Sequence, residues 1–335
     1  MRRAIYTIFA ITFISLFFFS CNKNKGFEKE VTLVMAEVNP AETIAGQMDQ
    51  AFKRKVEELS GGKIKIDLYC SGILGDVDSV VNLMLKPNST IHIHRMSAVN
   101  MASYGCSQSS LLGIPYTFAS KEAFWEFTKS KAAQEILDEP IEIMGLKGLF
   151  YGEEGFRNFF STVKISGVKD FEGLSARGTN DVAMQGLLAG LKTKSVPVNY
   201  ADLYAKLQTG VISVAEQPIA NYLANHFYQV APYMILDGHT LGVMETVITM
   251  EAWNSLSERQ QQILLEAGKY ASEFCKNLSA SEEDRVKTQL IANGATITEV
   301  KDVKPWQEVC SDVVKESSSV DPALYDKILS YSRKK

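Results

Sequence analysis

Residues 31–70 read VTLVMAEVNPAETIAGQMDQAFKRKVEELSGGKIKIDLYC, and this stretch indicates the fold class. Its first part, 31–38, is a run of apolar and β-branched residues that is typical of a strand. Segment 41–60 then places apolar residues at helical spacing, namely Ile44, Met48, Phe52, Val56 and Leu59. Segment 63–70 alternates polar with apolar residues, as a half-buried strand does. A strand, a helix and a strand in this order predict a parallel β-α-β unit with a right-handed crossover.

The same alternation of strands and helices continues along the chain. Further strands are predicted at 90–96, 147–151, 157–163, 174–177 and 211–215, and further helices at 74–85, 181–191, 201–209 and 257–293. The last of these helices begins with the capping box Ser257-Glu258-Arg259-Gln260. About 35 helical residues reach roughly 50 Å, so we expect this helix to brace two lobes. A break near Ser279 to Ser281 is the alternative, because serine is a weak helix former.

Composition and length favour an α/β protein with two lobes. The chain has 335 residues, of which 46% are hydrophobic and 22% charged, and this excludes a disordered, collagen-like or coiled-coil protein. The predicted division gives lobe 1 residues 31–150 plus about 242–280, lobe 2 residues 151–241 plus about 281–310, and a C-terminal helical segment residues 311–335. The 35 Lys+Arg and 39 Asp+Glu leave a formal charge of −4. Without a basic excess, we expect no nucleic-acid partner.

The first twenty residues have the pattern of a secretory signal peptide. Arg2 and Arg3 precede an apolar stretch, 4–19, which is shorter than the roughly 20 residues that span a bilayer. Ser20-Cys21 then resembles a bacterial lipobox, which implies cleavage before Cys21 and acylation of its thiol. We therefore expect a signal peptide at 1–20, a lipidated linker at 21–30 and a periplasmic protein anchored to a membrane. A plain signal peptide and an uncleaved anchor are the alternatives.

Three segments of the second half carry a family resemblance. They are GEEGFRNF at 152–159, DFEGLSAR at 170–177 and YAKLQTGVISVAEQP at 204–218. In this order and spacing they resemble the DctP-type substrate-binding proteins of TRAP transporters, which carry G-x-R, D-L-K-G-x-x-x-R and L-Q-x-G-x-x-D-x-x-E-N-P. Segments 71–75 and 112–118 and the pattern from Trp253 to Gln261 are also similar to this family. The resemblance covers nearly all of the chain after the signal peptide.

The resemblance implies a two-lobed receptor with a ligand cleft between its lobes, which closes on a small organic acid. Its partners would be the membrane subunits of a TRAP permease, and it would need no cofactor. The carboxylate-binding arginine of the family aligns with Arg177, and a guanidinium fork suits a carboxylate because it binds through two parallel hydrogen bonds. Arg157 aligns with the second family arginine. Further candidate ligand-binding residues are Glu216, Asn158, Tyr116 and Phe156.

Two positions of the third motif depart from the family pattern. Ser213 stands where the family has an aspartate, and Gln217 replaces the family asparagine. Both residues are candidates for the ligand site, and we expect a ligand other than an ordinary dicarboxylate or a sialic-type acid. A branch of the family that pairs its receptor with a tetratricopeptide-repeat lipoprotein is associated with more apolar carboxylates. A lipidated receptor with an altered pocket resembles that branch.

Two other functions have some support in the sequence. His92 and His94 share one face if 90–96 is a strand, so a metal-binding lipoprotein is the alternative function. Glu153-Glu154 is a carboxylate pair, but strand neighbours point to opposite faces and a solvated loop is the favoured interpretation. The sequence contains no G-x-S-x-G, P-loop, H-E-x-x-H or G-x-G-x-x-G motif, and we expect no enzymatic activity.

Four cysteines follow the lipobox, namely Cys70, Cys106, Cys275 and Cys310. They are widely spaced and form no C-x-x-C motif. Buried free thiols are favoured because cysteine is often a small buried residue, with one disulfide bridge as the alternative.

Overall fold

The computed structural model describes residues 29–179 and 181–333. The predicted signal peptide and Cys21 lie outside these residues. Within them the strands are β1 (Val31–Ala36), β2 (Ile64–Tyr69), β3 (Ile93–Ser97), β4 (Leu146–Ser161), β5 (Ser175–Gly178), β6 (Lys194–Pro197), β7 (Val214–Pro218), β8 (Tyr233–Thr249) and β9 (Thr296–Glu299). The helices are α1 (Ile44–Leu59), α2 (Val77–Met84), α3 (Ala98–Ser103), α4 (Ser107–Ser110), α5 (Lys121–Phe127), α6 (Lys131–Asp138), α7 (Pro140–Met144), α8 (Val182–Gly190), α9 (Leu203–Gln208), α10 (Ile219–Ala224), α11 (Met250–Ser255), α12 (Glu258–Ala292), α13 (Lys304–Val309), α14 (Ser311–Ser318) and α15 (Pro322–Ser332).

The described strands form one mixed sheet in the order β2-β1-β3-β8-β4-β7-β5-β6, with β9 beside β8. The predicted β-α-β unit is present, since β1 and β2 pair in parallel from Val31 opposite Ile64 to Ala36 opposite Tyr69. Strand β5 also pairs in parallel, with β6 and β7. The antiparallel pair of β4 and β8 lies between these parallel parts and therefore joins the two halves of the sheet.

Strand β4 corrects the prediction of two separate strands at 147–151 and 157–163. Residues 146–161 form one strand whose pairing with β8 shifts register between Glu153 and Phe156. Gly155 lies in this irregularity with a φ of 89°, a value that side chains disfavour. Glu153 and Glu154 are consequently buried in the strand, not exposed in a solvated loop. The prediction failed because β8, which provides the backbone partners, had not been recognised in the sequence.

Helix α12 runs without a break from Glu258 to Ala292, so the alternative of an interruption near Ser279 to Ser281 is wrong. The capping box at Ser257 and Gln260 is confirmed. Ser279 is buried, and the Lys121 ammonium donates a hydrogen bond to its carbonyl at 3.1 Å. The helix packs on α1 and β4 in one half and reaches α10 and β9 in the other. No helix of the described residues combines the length and the apolar character needed to cross a membrane.

Several separate apolar cores correspond to the two lobes. One core joins α1, α5, α6 and part of α12 to the sheet, and the rings of Phe52 and Phe150 meet in it at 4.9 Å. Two further cores surround Phe160 and Phe159, on either side of the β4–β7 part of the sheet. The four described cysteines are free thiols, of which Cys106, Cys275 and Cys310 are buried and Cys70 is half-buried. The shape is the two-lobed α/β fold that the sequence predicts.

Candidate functional site

A cavity of about 370 Å³ lies between the two halves of the molecule. Its first wall comes from the loop after β1, the start of α2, the end of β3 and α3. Its second wall comes from the ends of β5 and β6, the start of α8, and β7 with α10. The joining strands β4 and β8 contribute its base. Volumes of this order hold small organic ligands, which makes the cavity the candidate binding site.

Arg157 is held at the base of the cavity by two carboxylates. Its Nη2 donates to Oε1 of Glu216 at 2.9 Å, its Nε donates to the other oxygen of Glu216, and its Nη1 donates to Oε1 of Glu154 at 3.1 Å. The second oxygen of Glu154 accepts from the amide of Asn221 at 2.9 Å. Strands β4 and β7 pair directly at this point, which places the three ionic side chains together.

His239 extends this charged network beneath the cavity. Its Nδ1 lies 2.7 Å from Oδ2 of Asp237, and its Nε2 lies 3.7 Å from Oε2 of Glu216. Burial would lower the pKa of His239, but the two carboxylates overcome it and raise this pKa to about 9. Burial would raise the pKa of Glu216, but Arg157 and His239 lower it to about 2. The network therefore alternates cations and anions from Asp237 through His239 and Glu216 to Arg157.

Arg177 differs from Arg157 in having no carboxylate partner among residues 29–179 and 181–333. It lies in β5, and its Nε donates to the Val198 carbonyl at 3.0 Å. Its guanidinium carbon lies 5.9 Å from the centre of the Tyr200 ring. Burial, together with Arg157, lowers the pKa of Arg177, although an arginine stays charged at neutral pH. The ends of this side chain are therefore available for an anion that enters the cavity.

Half of the residues predicted for the site line the cavity. Arg177, Arg157, Glu216 and Gln217 do so. Ser213, Asn158, Tyr116 and Phe156 do not belong to its lining. Ser213 donates to the Ser175 carbonyl at 3.2 Å, and Asn158 accepts from the backbone of Gly238 at 2.9 Å and donates to the Phe156 carbonyl at 2.8 Å. The hydroxyl of Tyr116 donates to the Asp237 carbonyl at 3.4 Å. These polar contacts connect backbone segments around the site.

Sequence reasoning missed other residues of the cavity. Arg95 in β3, Glu154 in β4 and Asn221 in α10 line it, and His239 supports it from behind. The sequence did contain an indication of His239, because Asp237 and His239 are two residues apart and so share one face of a strand. The strand itself had not been predicted.

The metal alternative is not supported by the positions of its histidines. Nδ1 of His92 accepts from the backbone N–H of Val34 at 2.9 Å, and Nδ1 of His94 lies 2.8 Å from the Ala36 carbonyl. Both rings thus contact β1. Burial lowers the pKa of His94 to about 4, so its ring is neutral. The described residues contain no group of three or more His, Cys, Asp or Glu that could hold a metal ion.

Comparison with known proteins shows which family and which relatives this chain resembles. Residues 35–320 match the family described as DctP, bacterial extracellular solute-binding protein, family 7. The sialic acid-binding periplasmic protein SiaP of Vibrio cholerae is 23% identical over 266 residues, which cover 79% of this chain and 81% of SiaP. The 2,3-diketo-L-gulonate-binding periplasmic protein YiaO of Escherichia coli is 22% identical, with 79% and 80% covered.

Solved structures show the same fold. A TRAP periplasmic solute-binding protein from Pseudomonas putida F1 with bound D-glucuronate superposes with a TM-score of 0.84 at 21% identity, over 89% of this chain and 96% of that chain. One from Polaromonas sp. JS666 bound to D-erythronate has a TM-score of 0.85 at 20% identity, over 91% and 100%.

Proposed function

The chain belongs to the DctP family of bacterial extracellular solute-binding proteins, and from this we propose that it is a receptor that binds a small organic carboxylate and delivers it to a TRAP-type secondary transporter. Its site is the cavity between the lobes. The receptor acts by binding alone, and no catalytic role is proposed.

The observation that carries this proposal is the free guanidinium of Arg177. Arg177 is half-buried, a charge withdrawn from water is costly unless it is paired, and this arginine has no carboxylate partner in the described part of the chain. A ligand carboxylate would supply the missing anion through two charge-assisted hydrogen bonds. Gln217 and Asn221 lie in the same lining and can donate to further ligand oxygens.

The relatives suggest a hydroxylated ligand. The proteins from Pseudomonas putida F1 and Polaromonas bind D-glucuronate and D-erythronate, which are small hydroxylated acids. Asn39, Ser97, Asn100 and Asn199 add polar groups to the cavity lining of this chain. A hydroxylated acid therefore suits the wall better than the apolar carboxylate considered from the sequence.

We also propose a periplasmic location with a lipid anchor at Cys21, which rests on the signal-peptide pattern at 1–20 and the lipobox resemblance. The permease membrane subunits are the proposed partners. A tetratricopeptide-repeat lipoprotein is a further predicted partner, supported by the lipobox resemblance at Cys21 and the sequence departures at Ser213 and Gln217.

Native mass spectrometry of the protein purified without added ligand tests the proposed function. We expect a retained small molecule with a carboxyl group, which calorimetry then shows to rebind after removal. A retained neutral compound, with no binding of any carboxylate, would contradict the proposal.

A further inference from the structure

Arg95 is a third arginine of the cavity lining, contributed by the opposite lobe from Arg177. It is only 4% exposed, and its Nε donates to Oε2 of Glu37 at 2.7 Å while its Nη2 contacts the other oxygen of the same carboxylate. This bidentate pair forms because β1 and β3 are neighbours in the sheet. No hydrogen bond of the described residues uses Nη1 of Arg95. The Nη1 edge of Arg95 is thus available to a ligand in the cavity, while Glu37 neutralises the charge of this guanidinium.

Asp49 on α1 completes this cluster from behind. It is fully buried, and neither of its carboxyl oxygens has a hydrogen-bond partner among the described residues. Burial, reinforced by the Glu37 carboxylate, raises the pKa of Asp49 well above its usual range. Glu37 is thus the carboxylate that forms the ion pair with Arg95 in the described chain.

Of the three arginines that line the cavity, two are held in ion pairs by carboxylates of the described chain. Arg95 is paired with Glu37, and Arg157 is paired with Glu216 and Glu154. Arg177 is the arginine of the lining that has no carboxylate partner in the described chain. The remaining carboxyl groups of the lining are those of Asp76, Asp78 and Asp181. A first ligand carboxylate pairs with Arg177, but a second would find every remaining cation already neutralised.

We propose that Arg95, held by Glu37, is a specificity-determining residue that selects monocarboxylates over dicarboxylates. Its Nη1 donates to a neutral hydroxyl or carbonyl oxygen at the end of the ligand remote from Arg177. This inference rests on the proposed function, because it assumes that Arg177 binds the ligand carboxylate. A second carboxylate at Arg95 is disfavoured because it would be desolvated beside Glu37 without a free cation of its own.

Matched acids that differ at one end provide the test. Three pairs serve as probes, in which a terminal hydroxymethyl group is replaced by a carboxylate: erythronate and meso-tartrate, gluconate and glucarate, galactonate and galactarate. For the pair that binds better, calorimetry at pH 7.5 should show that the protein binds the monoacid at least about tenfold more tightly than the diacid. A factor of this size is the effect of one desolvated charge without a partner.

A double variant tests the role of the cluster itself. Glu37→Gln removes the charge that neutralises Arg95, and Asp49→Asn prevents the neighbouring acid from ionising in its place. In this variant the ratio of the affinity for the monoacid to that for the diacid should fall towards one. Glu245→Gln is the matched control, because Glu245 is a fully buried carboxyl of β8 that does not line the cavity. Burial raises the pKa of Glu245 to about 8, so this change alters little charge at neutral pH and should keep the wild-type preference.

The outcomes separate this inference from the function on which it rests. Tighter binding of a diacid than of its monoacid by the wild-type protein would overturn the inference and leave the carboxylate receptor intact. If the folded double variant kept the wild-type preference for the monoacid, the Arg95–Glu37 pair would not be the cause of that preference. If neither series binds and the retained ligand carries no carboxylate, the proposed function and the inference fail together. The wild-type ratio decides the matter even if the double variant does not fold.

Discussion

Arg177 and Arg157 line the same cavity, but their neighbours give them different tasks. The guanidinium of Arg157 is already bound by Glu216 and Glu154, so it is part of the wall. Within residues 29–179 and 181–333, Arg177 makes one hydrogen bond, from Nε to a backbone carbonyl, and its terminal nitrogens have no partner. The absence of a carboxylate partner in the described chain is therefore the reason for proposing Arg177, and not Arg157, as the ligand-binding arginine.

Replacing Arg177 with Ala should weaken binding of the retained ligand by about 2 to 5 kcal/mol, because the ligand carboxylate loses its charged partner in a partly desolvated site. Arg177→Lys should restore little, since an ammonium cannot form two parallel hydrogen bonds with a carboxylate. Calorimetry with the three proteins measures both effects. Arg285→Ala is the control, because Arg285 is exposed on α12 and pairs with Glu282 there. Equal affinities for wild type and Arg177→Ala would refute the assignment.

His239 should make stability depend on pH. Its pKa in the folded protein is raised from 6.5 to about 9, so its contribution to the free energy of unfolding is fully present below about pH 6.5 and is lost as the pH rises through about 9. The contribution is on the order of a few kcal/mol. Urea unfolding between pH 6.5 and 9.5 should show the difference between wild type and His239→Gln shrinking with pH.

His94→Gln is the control for this measurement. His94 is equally buried, but burial lowers its pKa to about 4, so the ring is neutral over the whole range. The destabilisation caused by His94→Gln should therefore stay constant with pH. A constant difference for His239→Gln as well would mean that His239 carries no charge in the folded protein.

At the level of elements, the contact between α12 and β4 positions the base of the cavity. Gly268 of α12 faces Phe150 of β4, and a Cβ at this glycine would lie 2.7 Å from the Cδ1 atom of that ring. Because Phe150 is buried, its ring has little freedom to move away. The glycine therefore sets how closely the long helix approaches the strand.

Gly268→Ala should lower the free energy of unfolding, although alanine favours a helix over glycine by about 1 kcal/mol. Overpacking against Phe150 costs about 1–3 kcal/mol and outweighs that gain. Ser281→Ala on the same helix is the control. Because Ser281 is exposed, this change should leave the free energy of unfolding unchanged or slightly higher. Chemical denaturation compares the two variants with wild type. A more stable Gly268→Ala protein would show that the helix and the strand can separate without cost.

At the scale of the whole molecule, the end of the chain contacts both halves. Trp306, Cys310 and Val313 lie in a core with Phe159, which belongs to the second half of the sheet. Helix α15 returns to the other half, where the hydroxyl of Thr117 donates to the Tyr325 hydroxyl at 3.2 Å. The predicted lobe limits stay predictions. The lobes are therefore connected by several elements, namely α12, β4, β8 and the C-terminal helices.

The anchor is a prediction for the whole molecule in its cell. Changing Cys21 to Ala should move the protein from the detergent phase to the aqueous phase in a phase-partition assay, because the acyl chains attach to this thiol. Cys70→Ala is the control and should stay in the detergent phase, since Cys70 lies in the folded part of the chain. Unchanged partitioning of the Cys21→Ala protein would exclude lipidation at this residue.

Local patterns determined much of the fold. The periodicities at 31–70 predicted β1, α1 and β2, and the capping box predicted the start of α12, because each depends on residues close together in sequence. The ordered motifs likewise indicated the family and singled out Arg177. Strand β8 was missed, and with it the continuity of β4, because their long pairing depends on residues far apart in the chain.

Only the tertiary structure decided which charges are free. Arg157 meets Glu216 across 59 residues of sequence, and Arg95 meets Glu37 across 58. These partners approach only when their strands become neighbours, and each arginine then lowers the pKa of its carboxylate partner although burial would raise it. The sequence by itself therefore determined the lobed fold and the family and named Arg177. The pairing of strands decided that Arg177 is the arginine of the cavity without a carboxylate partner in the described chain, because ion pairs between distant residues exist only once the sheet has formed.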